Sequence, residues 1–138
     1  MPASYLLDLE RRVVFSRAWG VLTDADITAH AAALRSDARF DPSFRQVADF
    51  RAVSEIRVTG AVVRGIAFDN PFRREARRAF VVASDLAFGL ARMFELAAAA
   101  DAEEFRIVRT IEPALEWIGL DPATPWPSQA PDATFGVP

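Results

Sequence analysis

His30 is the only histidine of this chain, cysteine is absent, and all 16 basic residues are arginines. That inventory removes a thiolate nucleophile, a cysteine metal site, a lysine Schiff base and a phosphate-loop lysine. A Ser-His-Asp arrangement would need one of the scattered serines brought to His30, and no Gly-x-Ser-x-Gly turn is there to expose it. His30 follows Ile27 by one helical turn and precedes Leu34 by another, so a half-buried, hydrogen-bonded packing role is expected for it. Gly60-Ala-Val-Val-Arg-Gly65 has the glycine spacing of a phosphate loop, but Ile66-Ala67 follow where Lys and Ser/Thr are required. No two glycines are separated by a single residue, so the dinucleotide fingerprint is missing. Asp24 and Asp26 sit at a predicted helix start, where the dipole favours carboxylates without any metal. Neither a cofactor nor a metal is expected.

Two stretches carry binding potential instead. Phe72-Arg73-Arg74-Glu75-Ala76-Arg77-Arg78 is the densest basic run. It suits a phosphate, an anionic head group or an acidic partner surface, and equally a solvated loop in which Glu75 pairs locally. Ser84-Asp85-Leu86-Ala87-Phe88-Gly89 stands at the carboxyl end of a predicted parallel strand, where open α/β sheets place ligands. Phe88 and Arg92 are one turn apart and are expected to flank that crevice.

The elements that hold these residues follow from the apolar pattern. Ala79 to Ala83 is apolar at every position, as in a strand covered on both faces; after Ser84-Asp85, Leu86, Leu90, Met93 and Ala97 recur at helical steps and predict the inward face of a helix. Upstream, Tyr5 to Leu9 and Val13 to Val21 predict an antiparallel hairpin, with Phe15 and Trp19 on one side. Thr23-Asp24-Ala25-Asp26 fits a capping box opening a helix to about Ser36, with Ile27, Ala31 and Leu34 inward. Gln46 to Phe50 predicts a third strand and Gly60 to about Phe68 a second helix. Glu104 to Arg109 predicts a fifth strand near an edge, and a short helix runs through Trp117 to a Gly119 cap. The predicted fold is α/β: a single-domain mixed sheet of about five strands, an N-terminal antiparallel hairpin then parallel βα units, with about four helices. The domain is expected over 1–120, and residues 121–138, with Pro122, Pro125, Pro127, Pro131 and Pro138, form an extended or disordered tail whose Trp126 and Phe135 seek an apolar surface on this domain or on a second copy, as a homodimer.

The element order, with Gly20-Val-Leu-Thr-Asp24, Arg39-Phe-Asp-Pro-Ser-Phe-Arg-Gln46 with Asp49, and Ala83-Ser-Asp-Leu-Ala-Phe-Gly-Leu-Ala-Arg-Met93, resembles the STAS domain of anti-sigma-factor antagonists, in an uncharacterised bacterial branch. The likeness spans about residues 5 to 119. Members that act as switches carry Asp-Ser-Ser-Gly at a helix start, the second Ser accepting phosphate from a kinase. Counted forward from Asp49, Gly60 falls on the motif's Gly and Thr59 on the phospho-acceptor, while Val58 and Arg57 replace the first Ser and the Asp. A phosphate on Thr59 would meet backbone donors and the positive dipole end, with Arg57 near enough in sequence to pair; a plain N-cap uses the same residue type.

The resemblance implies a non-enzymatic regulatory domain that docks a protein partner, a kinase-type or sigma-factor regulator. The alternative is a binder of a small apolar or lipid-like ligand, on which core packing decides. A core filled by Phe15, Phe50, Phe68, Phe80 and Phe94 leaves no space, whereas a cavity of about 300 Å³ or more favours a ligand. The net charge of −3 and pI near 5.2 oppose nucleic-acid binding. No apolar run is long enough for a membrane span, and the start lacks a basic segment followed by an apolar run, so a cytoplasmic location is expected.

Overall fold

The computed structural model describes residues 3–68, 70–73, 75–98 and 104–126. Its elements are β1 (Ala3–Asp8), β2 (Val13–Thr23), α1 (Asp24–Ser36), β3 (Arg45–Arg57), α2 (Gly60–Phe68), β4 (Arg78–Val81), α3 (Asp85–Ala98), β5 (Phe105–Val108) and α4 (Ile111–Trp117). They form one five-stranded sheet in the order β1-β2-β3-β4-β5, with β1 antiparallel to β2 and every later pair parallel. This is the α/β class and mixed sheet that the sequence predicts, with β5 at the edge.

Sequential strand order decides the layering. Each parallel crossover steps in the same direction across the sheet, and crossovers are right-handed, so α1, α2 and α3 must all lie on one face. The opposite face is left to α4 and the segment after it. There Val13, Phe15, Val47, Ala79 and Val81 pack under Ala114, Leu115, Ile118 and Trp126. On the helical face, Val14 meets Leu34 of α1, and Val82 meets Ala87 and Ala91 of α3. β4 thus contributes Ala79 and Val81 to one layer and Phe80 to the other, joined there by Val82 just past the strand end, as expected of a strand buried on both sides.

Helix ends follow local chemistry. Thr23 and Asp26 form the reciprocal capping box: the Asp26 N–H donates to Thr23 Oγ1 at 3.3 Å, and the Thr23 N–H donates to Asp26 Oδ2 at 2.9 Å. Gly119 adopts φ +86°, a left-handed backbone that suits glycine, and the Leu120 N–H then closes onto the Leu115 carbonyl at 2.9 Å.

Three expectations are corrected. β3 runs to Arg57, well past Phe50, because β2 extends beside it and the pairing continues, through register shifts at Arg17/Trp19 and Gly20/Val21, out to Thr23↔Arg57. Most side chains beyond Phe50 on β3 are exposed, so the apolar signal stops while backbone pairing continues. On α3 the inward stripe is Ala87, Ala91 and Phe94, and Leu86 is 59% exposed. Small alanines, not the leucine, face the sheet, which turns the helix by about one residue from the predicted orientation. Phe15 and Phe80 do not share a core: Phe15 lies under α4, while Phe80 faces α3.

Candidate functional site

The helical face of the sheet is incompletely filled. Ala18 and Ala48 on the strands face Ala31, Ala87 and Ala91 on the helices, and alanine opposite alanine leaves space between backbones that larger side chains would occupy. The result is a cavity of about 140 Å³, walled by Ile27, Phe50, Val63, Phe80, Leu90 and Phe94. The volume is less than half of the roughly 300 Å³ set as the mark of a ligand pocket. It is close to the ~150 Å³ of an engineered apolar cavity that takes up benzene, so the space suits a body of about six carbons and not a full acyl chain. The side chain of Phe68 lies outside the described residues.

One corner of this apolar space is polar. Gln46 and Arg78 are direct partners across β3 and β4, and Ser16 of β2 projects from the same face. Arg78 Nε and Nη2 donate to Gln46 Oε1 at 2.9 and 2.8 Å, and Gln46 Nε2 donates to Ser16 Oγ at 2.9 Å. His30 Nε2 lies 3.0 Å from the same hydroxyl, and the edge of Tyr5 packs on the imidazole with ring centroids 5.6 Å apart. The chain Arg78–Gln46–Ser16–His30 ties three strands to α1. Ser16, Gln46, Arg78 and His30 all line the cavity.

Arg78 is 8% exposed and has no carboxylate within ion-pair distance among the described residues. Its guanidinium is boxed by aromatic rings, 4.3 Å from the Phe72 centroid, 5.1 Å from Phe94, 5.7 Å from Phe80 and 6.0 Å from Phe105. Burial pulls its pKa down to about 9, so it stays charged at neutral pH. Gln46 is its one acceptor among the described residues, which leaves Nη1 without a partner among them; since no sealed side-chain nitrogen or oxygen there lacks a partner, Nη1 must face open space. Arg78, Phe72 and Phe94 also line an outer hollow of about 290 Å³ beside Asn70, Arg73 and Glu104. His30 is half-buried, as the sequence leads one to expect, and burial first, then the Arg78 charge, lowers its pKa to about 4; the imidazole is therefore neutral at pH 7.

Most of the residues singled out by sequence fall elsewhere. Asp49 is buried and contributes to the cavity wall, but its carboxylate is turned to the α4 side of the sheet, where Arg51 grips it through Nε and Nη2, each at 2.9 Å, and Trp126 Nε1 donates to Oδ2 at 2.9 Å. Trp126 also meets Phe15 edge-on at 5.0 Å, so this tail aromatic is covered by its own domain. Phe135 and the rest of the tail from 127 lie outside the described residues. At the α2 start, the Thr59 N–H and hydroxyl donate to the two oxygens of Asp24, at 2.7 and 3.0 Å, and Thr59 Oγ1 accepts from the Val62 N–H at 3.3 Å. Arg57 pairs with Glu55. Gly60 permits close approach of two helices: an added Cβ would stand 3.1 Å from Met93 Sδ.

Ser84 caps α3, its Oγ accepting from the Ala87 N–H at 3.1 Å, and Asp85 pairs with Arg109 at 3.1 Å. The guanidinium over Phe88 belongs to Arg109, at 5.1 Å, whereas Arg92 is engaged with Glu95. Phe88 and Arg92 therefore do not form the expected pair. Arg73 is exposed beside the outer hollow, and Arg74 lies outside the described residues. Sequence reasoning missed Ser16 and Gln46 as site residues, and it named Arg78 only within a basic run read either as an anion-binding stretch or as a solvated loop. The available signal was a polar residue directly before each of two apolar stretches, Gln46 before Val47-Ala48 and Arg78 before Ala79 to Ala83. No group of His, Cys, Asp and Glu that could hold a metal ion occurs among the described residues.

Fold and site together define an α/β protein with a partly open apolar pocket that has a charged corner. No family model matches the chain, and no curated protein is significantly similar to it in sequence. Among the described residues no helix is long and apolar enough to cross a membrane.

Proposed function

We propose that this protein is a non-enzymatic binder of a small, largely apolar molecule held between the sheet and α1 to α3. The observation that carries this reading is the cavity of about 140 Å³, in which apolar walls surround one buried, carboxylate-free Arg78. Interiors pack densely, and a void that nothing fills forfeits dispersion contacts along its whole lining. A ligand restores those contacts, and the neutral His30 and the Gln46–Ser16 pair give it hydrogen-bonding partners at one end.

Kinship with STAS domains is part of the proposal on element order alone. The docking role, with Thr59 as acceptor for a kinase-type partner, draws less support from geometry, because the Asp24 carboxylate already takes both Thr59 donors and would repel a phosphate there.

Native mass spectrometry of freshly purified protein, with thermal shifts for six-carbon probes, tests the reading. Expected are a small-molecule adduct lost on denaturation, or a rise in melting temperature with hexan-1-ol, and the loss of both in Ala91→Phe, which fills the space. Bare mass together with no shift from any probe would overturn it.

A further inference from the structure

We propose that the ligand is a small monocarboxylate of about six carbons, its carboxylate bound by Arg78 and its hydrocarbon body seated against Phe50, Phe80 and Leu90. This rests on the ligand-binding reading above and names the ligand's chemistry.

The argument starts from cost. A charge taken out of water without a counter-ion destabilises the fold, and buried arginines are ordinarily paired. Here the aromatic box and a single amide oxygen offset only part of that cost, and Nη1 is left facing open space. The desolvation of the guanidinium has been met in folding, so an arriving anion gains a charge-assisted hydrogen bond in a low-dielectric site without dehydrating the arginine anew.

The neighbouring groups fit an anion as well. Gln46 holds Arg78 through Nε and Nη2, which orients the fork and leaves Nη1 for the ligand. His30 and Tyr5, the titratable groups on α1 and β1 at this corner, are both neutral at pH 7, so neither places a negative charge against the carboxylate. The limited volume sets the length: a body near six carbons fills the apolar part, and its Phe94, Leu90 and Ile27 walls disfavour a second charge.

The test compares hexanoate with hexan-1-ol, hexylamine and acetate by calorimetry at pH 7.5, on the full chain and on Arg78→Met. Hexanoate is expected to bind wild type at least about tenfold more tightly than hexan-1-ol. Hexylamine and acetate should bind more weakly still, the first for its charge and the second for want of a body. In Arg78→Met the preference for the acid should vanish while hexan-1-ol binding persists. Equal binding of acid and alcohol by wild type overturns the carboxylate assignment and leaves the cavity reading standing, even if the variant fails to fold. Binding of acetate as tight as that of hexanoate, or an undiminished acid preference in Arg78→Met, overturns it too. Binding of none of the four overturns this inference and the proposed function together.

Discussion

Acidification below neutral pH should loosen this fold through one residue. Burial, with the Arg78 charge second, lowers the His30 pKa from 6.5 to about 4. In the unfolded chain the imidazole titrates at its ordinary value, so between those two pH values the unfolded chain binds a proton that the folded chain refuses. The stability that His30 contributes is therefore fully present above about pH 6.5 and is lost as the pH falls towards 4. At 1.36 kcal/mol per pKa unit the whole difference is about 3 kcal/mol, of which about 2 kcal/mol has gone by pH 5. That is a large share of the ~5–15 kcal/mol that holds a domain of this size folded.

The window is set by His30 with little interference. Tyr5, edge-on to the imidazole, is pushed up to about 12 by burial and by its bond to Asp37. Asp37, held well below the usual carboxylate range by Arg39, loses its contribution only below its ordinary 3.8. Urea unfolding of wild type and His30→Gln at pH 7, 6 and 5 measures the effect. Wild type should lose about 2 kcal/mol more than the variant over that range. An imidazole that titrates at pH 6 or above in the folded protein, followed by its ring-proton NMR shifts, would refute the reasoning, as would equal losses in the two proteins.

Two further outcomes follow from the other face and from the α2 start. Trp126→Ala removes the edge contact with Phe15 and a donor to the buried Asp49, and should cost about 3 kcal/mol in urea unfolding, whereas Trp126→Phe should cost about 1 kcal/mol; a Trp126→Ala protein as stable as wild type would show that the segment after α4 is dispensable. Thr59→Asp sets a second carboxylate against Asp24 and should lower stability by about 1 kcal/mol and reduce the melting temperature, with Thr59→Ala less affected; an unchanged or raised melting temperature for Thr59→Asp would reopen the switch reading.

The sequence by itself determined the fold class and most element positions, because those depend on local signals. Apolar runs with a two-residue period, helical spacing, the Thr23–Asp26 box and Gly119 are all legible within a few residues of one another. The face of α3 was misread at Leu86 because a leucine outweighs Ala87 and Ala91 in any apolar count, and only packing against Val82 shows that those alanines lie inward, with Leu90 reaching the cavity wall. The tertiary structure alone decided the site. Ser16, His30, Gln46 and Arg78 come from four different elements, and no spacing along the chain encodes that three adjacent strands and one helix bring them to a single corner. A cavity is likewise a property of opposed surfaces: each alanine is unremarkable in its own helix or strand, and the void exists only where Ala18 and Ala48 face Ala31, Ala87 and Ala91 across the layer.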